Sequence, residues 1–103
     1  MTRQITYEAC HAFENGYKYC KSNTLVTADG RMYLFGNKIA EWVDGKLHIS
    51  MCGWNSNTTR ERLNGLSGVR VSQKNFTPYL NGEPISSYAT YEVVAGQPIR
   101  EVK

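Results

Sequence analysis

The 103 residues predict an α+β fold: one domain with a mostly antiparallel sheet of about five to six strands, an N-terminal helix and a short central helix. Three observations carry that expectation. Apolar residues recur at helical spacing up to residue 15, and the period then drops to two. Asp-Gly and Asn-Gly pairs separate the alternating runs, as hairpin turns do. A second polar segment with helix-start residues, "NSNTTRERLNGL", then interrupts the strand pattern.

Taken in order, residues 2–15 read as the first helix. Thr2 or Thr6 caps it, Glu8 suits its positive end, and Ile5, Ala9, Ala12 and Phe13 share one face. Asn15-Gly16 ends it, because glycine enters the left-handed region at low cost. Tyr17 to Ser22 reads as a polar, aromatic connection. From Asn23 to Gly53 the turns at Asp29-Gly30 and Asp44-Gly45 mark three or four antiparallel strands, with Gly36-Asn37 as a third turn or a bulge. Leu47, Ile49 and Met51 fall on one face, His48, Ser50 and Cys52 on the other.

Asn57 or Thr58 is the expected cap of the central helix. Leu63 and Leu66 are its core residues, while Arg60 and Arg62 are expected to be at least partly exposed. In "VRVSQK", Val69 and Val71 alternate with Arg70 and Ser72, and Lys74-Asn75 turns the chain into "FTPYLN". Pro78 has no N–H to donate, so that run is expected at an edge or beside a bulge. Asn81-Gly82 turns again, "SSYATYEVV" supplies a last strand, and residues 95–103 are expected to be loose.

Composition narrows the function. Hydrophobic residues at 41% and charged residues at 20% describe an ordinary globular chain. No apolar run approaches the ~18 residues of a membrane span, and the first ten residues lack an apolar signal region. A reduced, cytosolic setting is therefore expected, with Cys10, Cys20 and Cys52 as free thiols. Metal binding is not expected. His48 and Cys52 on one strand lie about 13 Å apart at ~3.3 Å per residue, too far for a shared zinc. Nor is a cofactor expected.

Net charge is +3, unevenly placed: residues 1–16 and 75–103 each carry −1, and residues 17–74 carry +5. A basic middle favours an anionic partner. For catalysis the acid–base groups are Glu61, Asp29, Asp44, His11 and His48; the aspartates belong to turns, and no nucleophile elbow, P-loop or HExxH is present. The chain is expected not to be an enzyme.

The candidate site is Trp54, Asn57, Thr58, Thr59, Arg60 and Arg62, joined by Arg70, Gln73 and Lys74 if the following strand returns beside the helix. Leading helix N–H groups attract anions, arginine offers a bidentate phosphate donor, and Trp54 could stack on a base. The plainer reading is a capped helix with Trp54 in the core and solvated arginines. Tyr33 and Phe35 alternate with Met32 and Leu34, so one pair suits a stacking platform; more often such alternation means that both faces are covered, by two helices or by another subunit.

At "KSNTLV", "YLFGNKIA" and "GWNSNTTRERLNGLSGVRVSQKNFTPYLNGEPI" the chain resembles a family of small, uncharacterised tailed-phage proteins. The resemblance runs from about Lys21 to Ile85. Ser67-Gly68 stands where that pattern has proline-glycine, a change that only loosens the loop. The resemblance implies a phage accessory gene expressed in a bacterial host, hence the host cytoplasm, and transfers no catalytic residue. The leading expectation is a non-enzymatic module binding nucleic acid or nucleotide and countering host defence or transcription. The alternatives are an inhibitor docking on a host protein by a sheet edge or aromatic face, and a structural or assembly homo-oligomer.

Overall fold

The computed structural model of the protein describes residues 4–102. Its first element, α1 (Gln4–Asn15), buries Thr6, Ala9, Cys10, Ala12 and Phe13, one stripe at three- and four-residue spacing. Thr6 lies inside this helix, fully buried, and is no cap; Thr2 falls outside the described residues. Gly16 ends the helix at φ +75°, as expected of a left-handed C-terminal residue.

Seven strands follow as one antiparallel sheet in the order β1-β2-β3-β4-β5-β9-β10. They are β1 (Tyr19–Lys21), β2 (Thr24–Thr27), β3 (Arg31–Leu34), β4 (Asn37–Val43), β5 (Lys46–Ser50), β9 (Thr90–Val93) and β10 (Arg100–Val102). After β5 the chain leaves to form α2 (Asn57–Asn64) and a three-stranded sheet of β6 (Val71–Lys74), β7 (Thr77–Leu80) and β8 (Glu83–Pro84). It then returns beside β5 as β9. The α+β class stands, with ten strands among the described residues in two sheets. The additional strands are two or three residues long, too short to show alternation.

Two segments expected to be irregular are strands. Tyr19–Lys21, expected as a connection, is edge strand β1, and the Tyr19 hydroxyl donates to Glu8 Oε1 at 2.9 Å, tying it to α1. Arg100–Val102, in the stretch expected to be loose, pairs with β9 in register. Neither pairing has a local signal, because a ladder's hydrogen bonds come from a distant strand.

The turns fall where turn-forming residues cluster, some displaced by one residue. Asp44-Gly45 and Asn81-Gly82 have φ of +52°/+78° and +51°/+88°, the two positive values that a two-residue type I′ hairpin needs. Asp29-Gly30 belongs instead to a three-residue loop, since Thr27 pairs with Arg31 and only Gly30 has positive φ. The third turn is Phe35-Gly36 rather than Gly36-Asn37, and a register shift follows between Met32 and Tyr33. Asn75-Phe76 replaces Lys74-Asn75. Strand β7, which holds Pro78, is central in the small sheet, contrary to the expected edge. Lys74 and Thr77 close the two-residue turn, so Gln73 and Pro78 form a non-hydrogen-bonded pair and the missing N–H costs β6 nothing.

One core joins the layers: Phe13, Val26, Met32, Ile39, Met51, Leu63 and Leu80 are each at most 2% exposed. Leu63 and Leu66 are buried as expected. Helix α2 meets α1 at Gly65, where an added Cβ would lie 2.6 Å from Cys10 Sγ and 2.7 Å from Thr6 Cγ2. Only a residue without a side chain lets the two helices approach so closely there.

Candidate functional site

The entry to α2 is built by a tight turn and a cap. Cys52-Gly53 has φ of +51°/+82°, and Trp54 N–H closes the turn on Met51 O at 2.8 Å. The Tyr88 ring lies against Gly53, so close that a Cβ would be 2.8 Å from Tyr88 Cε1. The turn throws Trp54 outward; its side chain is 62% exposed, not part of the core. The N-cap is Ser56, one residue before the expected Asn57 and two before Thr58. Its backbone is extended, and its Oγ accepts from Thr59 N–H at 3.2 Å.

The two arginines of α2 have opposite fates. Arg62 is wholly buried, which corrects its expected exposure and removes it from any binding surface. Its Nε donates to Thr24 Oγ1 at 3.0 Å, Nη1 to Thr6 Oγ1 at 2.5 Å and Glu61 Oε1 at 2.7 Å, and Nη2 to Asn23 Oδ1 at 3.4 Å. It ties α2 to α1 and β2. Position 62 shares the inward face with Thr59 and Leu63, so the charge is buried and the fold supplies its acceptors.

Arg60 stays at the surface, half-buried. Its guanidinium donates to Asn55 O at 3.2 Å, Gln73 Oε1 at 3.2 Å, and the side-chain oxygens of Asn55 and Asn57. Every acceptor is neutral, and among the described residues no carboxylate pairs with Arg60. Its positive charge is held in place without being cancelled.

Strand β6 does return beside the helix. Asn64 Nδ2 donates to Val71 O at 2.8 Å while Val71 N–H donates to Asn64 Oδ1 at 2.6 Å, and Asn55 Nδ2 donates to Gln73 Oε1 at 2.8 Å. Gln73 thus joins Trp54, Asn57, Thr58, Thr59 and Arg60 at the helix entry, while Lys74, the next residue of the strand, is exposed and alternates away from Gln73. Arg70 does not. It precedes β6 at the other end, where its N–H donates to Asn81 Oδ1 at 2.8 Å beside a separate surface depression.

Beside the helix entry lies a cleft of about 490 Å³. Leu34, Ile39 and Met51, each at most 3% exposed, form its floor. Phe35 and Trp54, 70% and 62% exposed, stand as its walls, and Asn37, Ser56, Thr58 and Thr59 provide a polar rim. The Asn37 and Thr58 side chains make no hydrogen bond among the described residues, whereas Thr59 is buried against the cap. Among the described residues no carboxylate lines the cleft.

Phe35, expected on a strand face, is at a turn tip with φ +51°, a rare conformation for a bulky residue. Met32 and Leu34 are buried beneath the helices and Tyr33 is half-buried, so no strand-face platform forms. Asn37, Ser56 and the floor residues carry no site signal in the sequence, because two separated segments supply them.

The acid–base groups lie elsewhere and apart. Glu61 accepts from Arg62, Asp29 pairs with Arg31 at 3.3 Å, Asp44 is in its turn, and His11 is beside Asn15. On the open face of the main sheet Arg31, Glu41, His48, Glu92 and Arg100 form a cross-strand row. His48 Nε2 and Arg100 Nη2 are each 3.1 Å from Glu92 Oε1. Burial pushes the Glu92 carboxyl up, but these two hydrogen bonds and the charges of Arg100 and Lys46 hold it below the usual range. Glu41 is held low by hydrogen bonds from Lys38 and Arg31. Among the described residues no group of three His, Cys, Asp or Glu side chains is placed to hold a metal ion, and Cys10, Cys20 and Cys52 are free. None of the helices described is long and apolar enough to cross a membrane.

Fold and site together describe a small α+β protein with an aromatic-walled surface cleft. A family model, the Kyanoviridae Gp96 protein, matches residues 2–99, and the chain belongs to that family. The match bears out the expectation of a phage protein family and extends well beyond the stretch from Lys21 to Ile85. Comparisons with curated proteins and with solved structures find no match.

Proposed function

We propose that this protein is a non-enzymatic binding module for nucleic acid or nucleotide, working in the host cytoplasm against a host process such as defence or transcription. The observation that carries the reading is the helix entry: a cleft lined by the exposed Phe35 and Trp54 rings and by Thr58 and Thr59 of α2, whose next residue, Arg60, has a guanidinium that only neutral oxygens hold. Aromatic faces next to uncompensated cations suit stacked bases on a phosphate backbone. Exposed Lys74 on β6 and the α2 N-terminus add positive potential to this end of the molecule.

The test is a salt titration of oligonucleotide affinity, for the parent and for Arg60→Ala with Lys74→Ala. Parent affinity should fall steeply with salt, and the variant's log–log slope should flatten by about 0.7–0.9 for each phosphate that it no longer neutralises. Parent and variant with equal affinity and equal slope would refute the reading.

A second reading has its own support. Phe35 and Phe76 both occupy the left-handed region at turn tips, 70% and 90% exposed, where neither ring fills the core. Exposed rings held in a disfavoured backbone also suit docking on a host protein. An apolar protein interface would be nearly indifferent to salt, so the same titration separates the two.

A further inference from the structure

The cleft implies more than a general affinity for polyanions. Resting on the nucleic-acid reading above, we infer that the Phe35–Trp54 cleft receives one unpaired base, which makes the protein selective for single strands over duplex. The floor of Leu34, Ile39 and Met51 is apolar and buried, so a ligand must offer the cleft a flat apolar face rather than a polar edge. A base inside a duplex has both faces covered by its neighbours and presents only edges and phosphates. An unstacked base has a free face to lay on this apolar surface and its exposed rings.

Charge and polarity agree with that occupant. Among the described residues the lining contains no carboxylate, so the phosphates flanking the base meet no repulsion from them. Arg60, anchored by Asn55, Asn57 and Gln73, is a fixed cation one residue beyond Thr58 and Thr59 of the lining, available to a phosphate of a strand that continues past the cleft. On the rim, the Asn37 amide and Thr58 hydroxyl have no intramolecular hydrogen bond among the described residues. They are available to the polar edge of an inserted base. A cleft of about 490 Å³ is in the lower part of the range for pockets that hold a nucleotide-sized ligand.

Phe35 supplies an independent pointer. Its turn position asks for asparagine or glycine, and the ring is 70% exposed, so neither backbone nor core explains it. A ring needed as a cleft wall does.

The experiment uses the full chain and fluorescence anisotropy with a labelled mixed-sequence strand of about 12 nucleotides, alone and annealed to its complement. The variants are Phe35→Asn, which suits the turn while removing the ring, and Trp54→Leu, each checked for an unchanged thermal midpoint. The parent should bind the single strand at least about tenfold more tightly than the duplex. Each variant should lose about 5- to 150-fold of single-strand affinity, as removal of one stacking partner does, with the salt slope unchanged. Duplex bound as tightly as single strand, or Phe35→Asn binding like the parent, overturns the unpaired-base inference while leaving a salt-sensitive anion site standing. Failure to bind either probe overturns both and leaves the cleft to a protein ligand.

Discussion

Replacing Arg62 by methionine should destabilise the protein as strongly as a deep core truncation, although arginine on a short, polar helix looks dispensable. Methionine keeps much of the unbranched stem and removes the guanidinium. Four hydrogen bonds then go, to Thr24, Thr6, Glu61 and Asn23. Part of the loss is cushioned. The Thr6 hydroxyl still donates to Glu61 Oε1 at 3.1 Å and that of Thr24 to Asn23 Oδ1 at 2.7 Å, so neither hydroxyl proton is orphaned. What remains is the loss of charge-assisted bonds worth about 1.5–3 kcal/mol each, offset by no longer having to desolvate the charge. A net cost of about 3–5 kcal/mol follows, the usual result of removing one partner from a buried charged network. In a urea unfolding curve with a slope near ~1.5 kcal/mol/M, the midpoint should drop by about 2–3 M. Arg60→Ala is the internal control and should cost about 0–1 kcal/mol, because its partners remain solvated. An Arg62→Met change below about 1 kcal/mol at unchanged slope would refute the argument that this residue holds α2 to α1 and β2.

Two further outcomes are expected. Ser56→Ala should cost about 0.5–2 kcal/mol and Thr58→Ala almost nothing, since the Thr59 N–H bonds to Ser56; the reverse order in a thermal melt would contradict the cap. The carboxyls of Glu8, Glu41 and Glu92 all stand below their usual range in the folded protein, Glu8 through hydrogen bonds from Gln4 and Tyr19. The folded state therefore binds these protons less readily than the unfolded chain. Their stabilisation is fully present above about pH 4.3 and is lost as pH falls through the lower folded values. A urea midpoint unchanged between about pH 5 and pH 3 would show that these pairs contribute nothing.

Local physics decided what the sequence alone could determine. Helical spacing located α1, period-two alternation located β2 to β5, and paired turn residues marked Asp44-Gly45 and Asn81-Gly82, because each needs only neighbours a few residues away. The same holds for Leu63 and Leu66, whose burial follows from the face they share. The segment from Trp54 to Arg60 was recognisable as an anomaly for the same reason.

Tertiary structure decided the rest. Strands β1 and β10 exist only because a distant strand offers a hydrogen-bond ladder, and no pattern within three residues encodes that. The cleft gathers Leu34, Phe35, Asn37, Met51 and Trp54 from segments that only the fold places side by side. Arg60 and Arg62 are the sharpest case: the same residue type, two positions apart, reads identically along the chain. The helix turns about 100° per residue, so one points to solvent and the other into the core, and only the acceptors on Thr6, Thr24 and Asn23 make the buried charge tolerable.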